Sequence, residues 1–467
     1  MNKNYPIYRT TFIDDMRSLV EEAAQNFPDS IAISYKENYW DKEVRKVTFS
    51  KWREDVRNLG TALIANGLRE ENIAIIGENS YGWCCSFFAV MAIGSVTVPV
   101  DKELPLEDID GIISTTACKA VIFGKASEGK IREMLQNGAL KTVEMLVSVA
   151  PESALADSEI DGRTLTSLSE LQDKGAKLFA GGDNSYYDYK IDVNKLASIV
   201  FTSGTTGKGK GVMLSQANIG LDMTLGMYNF DITRKTLHVL PPHHTFGSTV
   251  NYVGHLSQGC EVYISSGIKH VSDEIREQQP THLILVPAFL EVMNRKIWAT
   301  ARKEGKEGLL KAMMKVSDCL RKVGIDVRKK LFSSVLSAFG GKLELIICGG
   351  AKLDEEIIRT FDSLGITILN GYGITECSPL ISANRNKYQK PGSVGTPILA
   401  CRVKIDNPDE NGEGEICVKG PNVMLGYYNN PEATAEVFDK DGFFHTGDYG
   451  KLDEEGWIYI TGRKKNL

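Results

Sequence analysis

Between residues 72 and 100 the chain alternates a strand, a helix and a second strand, and no other stretch limits the fold as tightly. Residues 72–77 are apolar enough for a buried strand, 81–93 repeat apolar side chains at helical spacing, and 96–100 are again strand-like. The apolar run 84–100 holds 17 residues, yet Ser86, Gly94, Ser95, Thr97 and Pro99 interrupt it. It falls short of the roughly 20 residues that span a bilayer and reads as a buried helix followed by a strand. Strands that alternate with helices predict parallel sheets flanked by helices, an α/β class.

The same reading extends along the chain. Phe12, Ile13, Met16, Leu19, Val20, Ala23 and Phe27 recur at helical spacing, with Pro28 just past them. Strand-like residues 31–35 and 47–49 follow, and Ser50 is placed to cap a helix that reaches Gly67. Residues 296–339 predict a charge-laced pair of surface helices that Gly324 interrupts. Residues 344–348 and 366–369 predict buried strands ending at Gly349-Gly350 and Asn370-Gly371. In open α/β sheets ligands collect at the carboxyl ends of strands, so both turns are candidate walls of a site. From residue 401 short alternating strands separated by Asn-Gly, Asp-Gly and Glu-Gly turns predict a small antiparallel barrel. A chain of 467 residues exceeds one ordinary core. The reading divides it into α/β subdomains at about 1–195 and 196–400 and a barrel at 401–460.

A net charge of −6 lacks the basic footprint of a nucleic-acid binder. Nine cysteines, odd in number and without a C-x-x-C pair, sit mostly among apolar neighbours, as thiols do in a reducing cytoplasm. The seven histidines show no ligand spacing beyond the adjacent pair His243-His244. The first eleven residues contain no apolar core of a signal peptide.

Chemistry concentrates in residues 200–212. Eight of them are Gly, Ser or Thr, and Lys208 and Lys210 add charge. Backbone N–H groups freed by glycine, rotatable hydroxyls and lysines are what a polyphosphate needs. A Walker loop fits from Gly204 to Lys210 but fails at Gly211, where Ser or Thr is required. A Walker loop also opens straight into a helix, whereas residues 211–214 read as a strand and Ser215 caps the helix beyond. The segment therefore reads as a phosphate loop between two strands. A second constellation, residues 370–376, puts Tyr372, Thr375 and Glu376 near a strand end, where they could stack on a base, donate to a phosphate and hold Mg2+.

Together these motifs resemble the acyl-adenylate-forming (AMP-binding) ligase superfamily, which includes acyl-CoA synthetases, firefly-type luciferases and peptide-synthetase adenylation domains. Residues 201–212 resemble its phosphate loop, 240–247 its acyl-pocket segment, Gly349-Gly350-Ala351 its adenine-edge turn, 371–376 its adenine and magnesium motif, 446–448 its ribose-binding turn and 462–465 its hinge. Gly209 stands where the family usually has Pro before the second loop Lys.

The resemblance implies a large AMP-binding domain over 1–460 and a hinge over 461–467, with Lys465 within it. It assigns catalysis to Thr375, Glu376, Lys210 and His244, with Mg2+ on Glu376. It assigns ATP binding to Thr202, Ser203, Gly204, Thr205, Thr206, Gly207, Lys208, Gly349, Gly350, Ala351, Asn370, Gly371, Tyr372, Gly373, Asp448, Ile460 and Arg463. In these roles Tyr372 stacks on adenine, Asp448 and Arg463 hold the ribose hydroxyls, and His244 walls the carboxylate end of the acyl site.

An amino-acid substrate would need an acidic partner for its ammonium group, and residues 243–259 contain no Asp or Glu. The extended helical region, residues 286–290 ahead of it, and residues 377–379 and 391–395 resemble bacterial long-chain fatty acyl-CoA synthetases. The implied reaction converts a fatty acid and ATP to an acyl-adenylate and pyrophosphate, and then to a thioester with CoA. Two alternatives stay open: loading onto an acyl carrier protein, and a homologue that binds nucleotide or acyl groups without turnover. The family continues for roughly another hundred residues, a typical small-domain size, whereas this sequence stops at Leu467. The resemblance thus implies a large domain without its small partner, slow in turnover and cytoplasmic, with any membrane contact peripheral.

Overall fold

The computed structural model describes residues 8, 10–155, 160, 162–202, 209–232 and 234–463. The expected strand Asn72–Ile76, helix Tyr81–Ala92 and strand Val96–Val100 all form. Ser80 accepts from Trp83 N and so opens the helix. The two strands pair in parallel, as a helical crossover requires.

Two large sheets carry the fold. The first has eight strands, in the order Gly426–Tyr427, Lys210–Ser215, Leu196–Thr202, Val96–Val100, Asn72–Ile76, Ala120–Phe123, Met145–Ser148, Thr164–Ser167. The second has nine, in the order Thr396–Pro397, Leu380–Ala383, Thr367–Gly373, Leu345–Cys348, His282–Leu285, Lys235–His238, Glu261–Ile264, Ile31–Tyr35, Arg45–Thr48. The sheets do not divide at residue 195 as the sequence reading had it. Residues 31–48 cross into the second sheet, and the hairpin 196–215 completes the first. Strand pairing with distant partners overrides chain order here, because each apolar edge is buried by whichever strand the crossovers bring beside it.

Residues 401–460 are antiparallel as expected and take the form of an open sheet, Arg402–Asp406, Gly414–Lys419, Phe444–Leu452, Ile458–Arg463. Its outer strands do not pair with each other, and Gly426–Tyr427, which lies between its strands in sequence, leaves to edge the first large sheet.

Local caps follow the sequence with one shift. Ser215 and Asn218 form a reciprocal capping box on the Gln216–Met227 helix. At residues 49–65 the cap is Thr48 rather than Ser50: Thr48 Oγ1 accepts from Lys51 N, so Ser50 falls inside the first turn. The helical region expected at 296–339 starts earlier, as Pro287–Lys303, breaks at Gly305 with φ +67°, and continues as Glu307–Lys322 and the short turns Arg328–Leu331 and Ser333–Ser337. No helix among the described residues is long and apolar enough to cross a membrane.

Candidate active site

The strand Thr367–Gly373 carries the residues expected on the nucleotide side of the site. Cys348 and Asn370 are parallel partners at the ends of adjacent strands, so the two expected turns lie side by side. Gly350 has φ +88°, a conformation that favours glycine. A methyl group at Gly349 would lie 3.5 Å from Gly371 O and 3.5 Å from the Phe246 ring, so the turn expected at the adenine edge and the segment expected to line the acyl pocket meet at this point. Asn370 is buried; its carbonyl accepts from Asn384 N at 2.9 Å and from Asn384 Nδ2 at 3.0 Å.

Tyr372 is buried, and its hydroxyl donates to Asp448 Oδ2 at 2.8 Å. Arg463 Nε donates to the other oxygen, Oδ1, at 2.9 Å. Burial pushes the Tyr372 phenol well above its usual pKa, and the Asp448 charge adds to this, so the phenol stays protonated and donates. Thr446 Oγ1 accepts from Asp448 N at 3.1 Å and donates to Ile416 O at 2.8 Å, which anchors the turn to the small sheet. Three residues expected to bind adenosine thus form one chain of hydrogen bonds. A carboxylate offers about four acceptor positions, so Asp448 retains capacity for ligand hydroxyls. Ile460, half-buried, pairs with Gly450 on the neighbouring strand. Ala351 is exposed beside the glycine turn, and Gly373 lies where a Cβ would meet Pro379 O at 2.1 Å.

On the side expected to hold phosphate, Leu196–Thr202 and Lys210–Ser215 form the antiparallel hairpin that the sequence implied, with Thr202 opposite Lys210. Ser203, Gly204, Thr205, Thr206, Gly207 and Lys208 lie outside the described residues, as does Lys465. Lys210 Nζ sits 4.7 Å from the centre of the Tyr427 ring, and Tyr427 OH donates to Glu376 Oε1 at 3.0 Å. Burial, then the Glu376 charge, push the Tyr427 phenol up and keep it a donor. Tyr427 thereby brings Lys210 and Glu376 to one place, a role that sequence reasoning missed; its only signal was an aromatic beside Gly426 in a run ahead of Pro431.

The Thr375–Cys377 turn is stapled from behind by two more residues that the sequence reading did not find. Asn422 Nδ2 donates to Leu380 O at 2.7 Å and to Cys377 O at 3.1 Å, and Ser378 Oγ donates to Asn422 O at 2.8 Å. Asp222, fully buried, accepts from Leu380 N at 3.2 Å and from Asn422 Nδ2 at 3.3 Å. Burial holds its carboxyl well above the usual range. Its signal was a lone acid in the apolar helix Gln216–Met227. Glu376 itself is part-buried and has no ion pair among the described residues, which suits a carboxylate that shares Mg2+ with substrate phosphates.

His244 lies exposed in the turn after Pro241-Pro242, where its carbonyl accepts from Gly247 N at 2.8 Å and Ser248 N at 2.9 Å. Its ring is 4.3 Å from that of His243, whose Nε2 approaches Asp101 at 3.6 Å. The surrounding protein nevertheless desolvates both rings and lowers both imidazoles, that of His243 to about 4, so both are neutral near pH 7. Residues 246–254 then wind as a π-helix.

The AMP-binding enzyme family matches residues 20–428. The chain belongs to the AMP-binding enzyme family. Relatives include the long-chain-fatty-acid–CoA ligase 1 of Homo sapiens, 30% identical over 434 residues, covering 88% of this chain and 61% of that protein. The long-chain-fatty-acid–CoA ligase 5 of Rattus norvegicus is 30% identical over 448 residues, covering 90% and 64%. The chain thus spans a little under two thirds of these relatives' length. A chloroplastic long-chain-fatty-acid–[acyl-carrier-protein] ligase of Arabidopsis thaliana is 26% identical over 509 residues, covering 95% and 69%.

Among solved structures, the N-terminal domain of FACL13 from Mycobacterium tuberculosis matches with a TM-score of 0.72 and 21% identity, covering 96% of this chain and 100% of that one. Apo MatB from Rhodopseudomonas palustris matches with a TM-score of 0.72 and 23% identity, covering 97% and 79%. These likenesses establish the fold, that of the N-terminal domain of adenylate-forming family members.

Proposed function

We propose that this chain supplies the ATP- and acid-binding part of an acid–thiol ligase that activates a long-chain fatty acid as its acyl-adenylate. The observation that carries the reading is the convergence of Lys210, Tyr427 and Glu376, with Glu376 only four residues beyond Tyr372 of the linked trio Tyr372, Asp448 and Arg463. An oxygen of the fatty carboxylate attacks the α-phosphorus of ATP. A new P–O bond forms, the bond from that phosphorus to the bridging oxygen breaks, and pyrophosphate leaves with the electron pair. Two anions meet in this step, so the protein's task is positioning and charge neutralisation. Lys210 supplies positive charge on the β- and γ-phosphate side, with Ser203, Thr205, Thr206 and Lys208 as further donors, and Thr375 donates to the α-phosphate. Glu376 is the residue that would hold Mg2+, which supplies neutralisation of phosphate oxygens when bound. Tyr372 presents its ring to adenine while its hydroxyl keeps Asp448 turned toward the ribose.

In the whole protein the adenylate passes to a thiol. CoA is the acceptor proposed, because two of the relatives named above are CoA ligases. An acyl carrier protein is the second reading, favoured by the similarity to the Arabidopsis ligase over 95% of this chain. The test is thermal stabilisation by a non-hydrolysable palmitoyl-adenylate analogue, paired with palmitate-dependent exchange of pyrophosphate into ATP. A ligand present at 100 times its dissociation constant stabilises the folded state by about 2.7 kcal/mol. The reading predicts stabilisation by the analogue well beyond that by AMP or palmitate singly. No response to the analogue or to ATP would overturn it.

A further inference from the structure

The residues proposed to handle the triphosphate stand on two different sheets. Lys210 lies on the hairpin of the eight-stranded sheet, and Glu376 on the turn that follows Thr367–Gly373 of the nine-stranded sheet. Residues 421–428 bridge the two. On one side this strap is a strand: Leu425 N donates to Met213 O at 2.9 Å, Tyr428 N donates to Gly211 O at 2.7 Å, and Gly426 and Tyr427 pair antiparallel with Met213 and Val212. On the other side it grips the turn. Asn422 Nδ2 donates to Cys377 O and Leu380 O, Met424 N donates to Glu376 O at 2.8 Å, and Ser378 Oγ donates back to Asn422 O. Asn218 Nδ2, in the first turn of the helix into which the hairpin leads, holds two further carbonyls of the strap, Pro421 O at 2.8 Å and Val423 O at 3.0 Å.

Asn422 is the pivot of this arrangement. It is fully buried, and its amide nitrogen faces three oxygens, Cys377 O, Leu380 O and Asp222 Oδ1. A donor is required there, because an acceptor would meet only other acceptors. The strap also fixes both ends of Glu376: the Met424 N–H holds its carbonyl, and the Tyr427 hydroxyl holds its carboxylate. One short segment thus sets the separation between Lys210 and Glu376. Mg2+ demands near-ideal octahedral geometry, so a small displacement of a carboxylate that would hold it costs affinity. We propose that Asn422 is a positioning residue for Glu376, and that the strap couples the binding of a polyphosphate at Lys210 to the binding of Mg2+ at Glu376. The inference rests on the adenylation reading and adds to it the element that makes one site out of two sheets.

The experiment is a calorimetric titration of the whole chain with ATP and with AMP, each in excess Mg2+ and in EDTA, without fatty acid so that no adenylate forms. The parent should bind ATP more tightly in Mg2+ than in EDTA, by a factor within the range of about 5–150 usual for coupled sites, and should bind AMP alike in both. In Asn422→Ala, which keeps Lys210, Glu376 and Tyr427, that factor should fall to about one, while AMP affinity stays within about twofold of the parent. A role confined to stability would weaken AMP and ATP together and leave the factor unchanged, and that result overturns the proposal. Ser378→Ala removes only the hydroxyl that holds Asn422 O and should reduce the factor in part. It decides the matter if Asn422→Ala fails to fold, and an unchanged factor in it then overturns the proposal. A parent that binds both nucleotides with no Mg2+ factor overturns the coupling and leaves nucleotide binding standing; a parent that binds neither nucleotide overturns the adenylation reading itself.

Discussion

The two faces of the nine-stranded sheet are built from alternate residues of the same strands and have opposite chemistry. Leu237, Leu283 and Leu285 point outward into an apolar cluster, bordered by the buried Glu274 that accepts from Tyr263. Their neighbours Thr236, His238 and His282 point inward, where they meet Asn251, Tyr252 and His255 of the π-helical stretch and its extension. All are buried, and the ring nitrogens of His238, Nε2 of His255 and of His282, and the Asn251 amide lack protein partners among the described residues. Tyr252 donates to Asn79, and His255 Nδ1 donates to Val250 O at 2.7 Å. One face is thus held by area removed from water, and the other keeps polar groups in neutral form at a cost in pH tolerance. The same strands carry both, so alternate side chains of one strand, each matched by the helices that cover its face, decide the chemistry.

The largest effect that would break this contrast is acid. Burial pushes His238 down to about 3 and His255 to about 4, and lowers His282 well below the usual value. The unfolded chain therefore binds more protons than the folded one, so stability falls as pH drops from about 6.5 toward 4, by up to a few kcal/mol per histidine. A melting series should show this slope. In His238→Leu the slope should shrink; an unchanged slope would mean that the inward face is not what titrates. On the outward face, Leu285→Ala should cost about 2–5 kcal/mol at every pH, because its loss is one of packing. A pH-dependent penalty there would erase the distinction between the faces.

Asp222 tests the inward side with the opposite sign. Its folded pKa lies above the unfolded value, so its contribution is present in acid and is lost as pH rises through the folded value. Asp222→Asn should therefore gain stability over the parent as pH rises above about 4, by roughly 1–3 kcal/mol. If the variant is instead equally destabilised at all pH values, the carboxyl is held charged. Tyr372→Phe should cost about 1–1.5 kcal/mol and weaken AMP binding about tenfold by calorimetry, since it frees Asp448 without touching the ring. The smallest effect belongs to Tyr427→Phe, about 1 kcal/mol, read as weaker protection by ATP·Mg2+ with binding of AMP unchanged.

What was legible in the sequence is what is local. The strand–helix–strand of residues 72–100, the Ser215 cap and the hairpin of residues 196–215 depend on side chains within a few positions of each other. So do the glycine turns at 349–350 and 370–373. Thr48 took the cap from Ser50 because strand and helix abut there with no residue between them. Tyr427, Asp222 and Asn422 escaped notice because each acts on a partner far along the chain: Asp222 and Asn422 are 200 residues apart. The helices beyond residue 287 were read as a solvated surface pair; their charges do face water, but nothing in the spacing of the apolar residues reveals that the helices stand apart and leave a cavity between them.

The pairing of Gly426–Tyr427 with the strand Lys210–Ser215 has a temporal meaning as well. A ribosome delivers the hairpin more than two hundred residues before it delivers the strand that seals it. Until then the Lys210–Ser215 edge presents unpaired backbone donors and acceptors, a template for wrong partners. The nascent chain must therefore hold this edge in a productive state through the synthesis of the whole second sheet. Such a high-separation contact slows folding. The carboxylate of Glu376 gains its tyrosine neighbour only when that late strand arrives, so completion of the fold and assembly of the proposed site coincide.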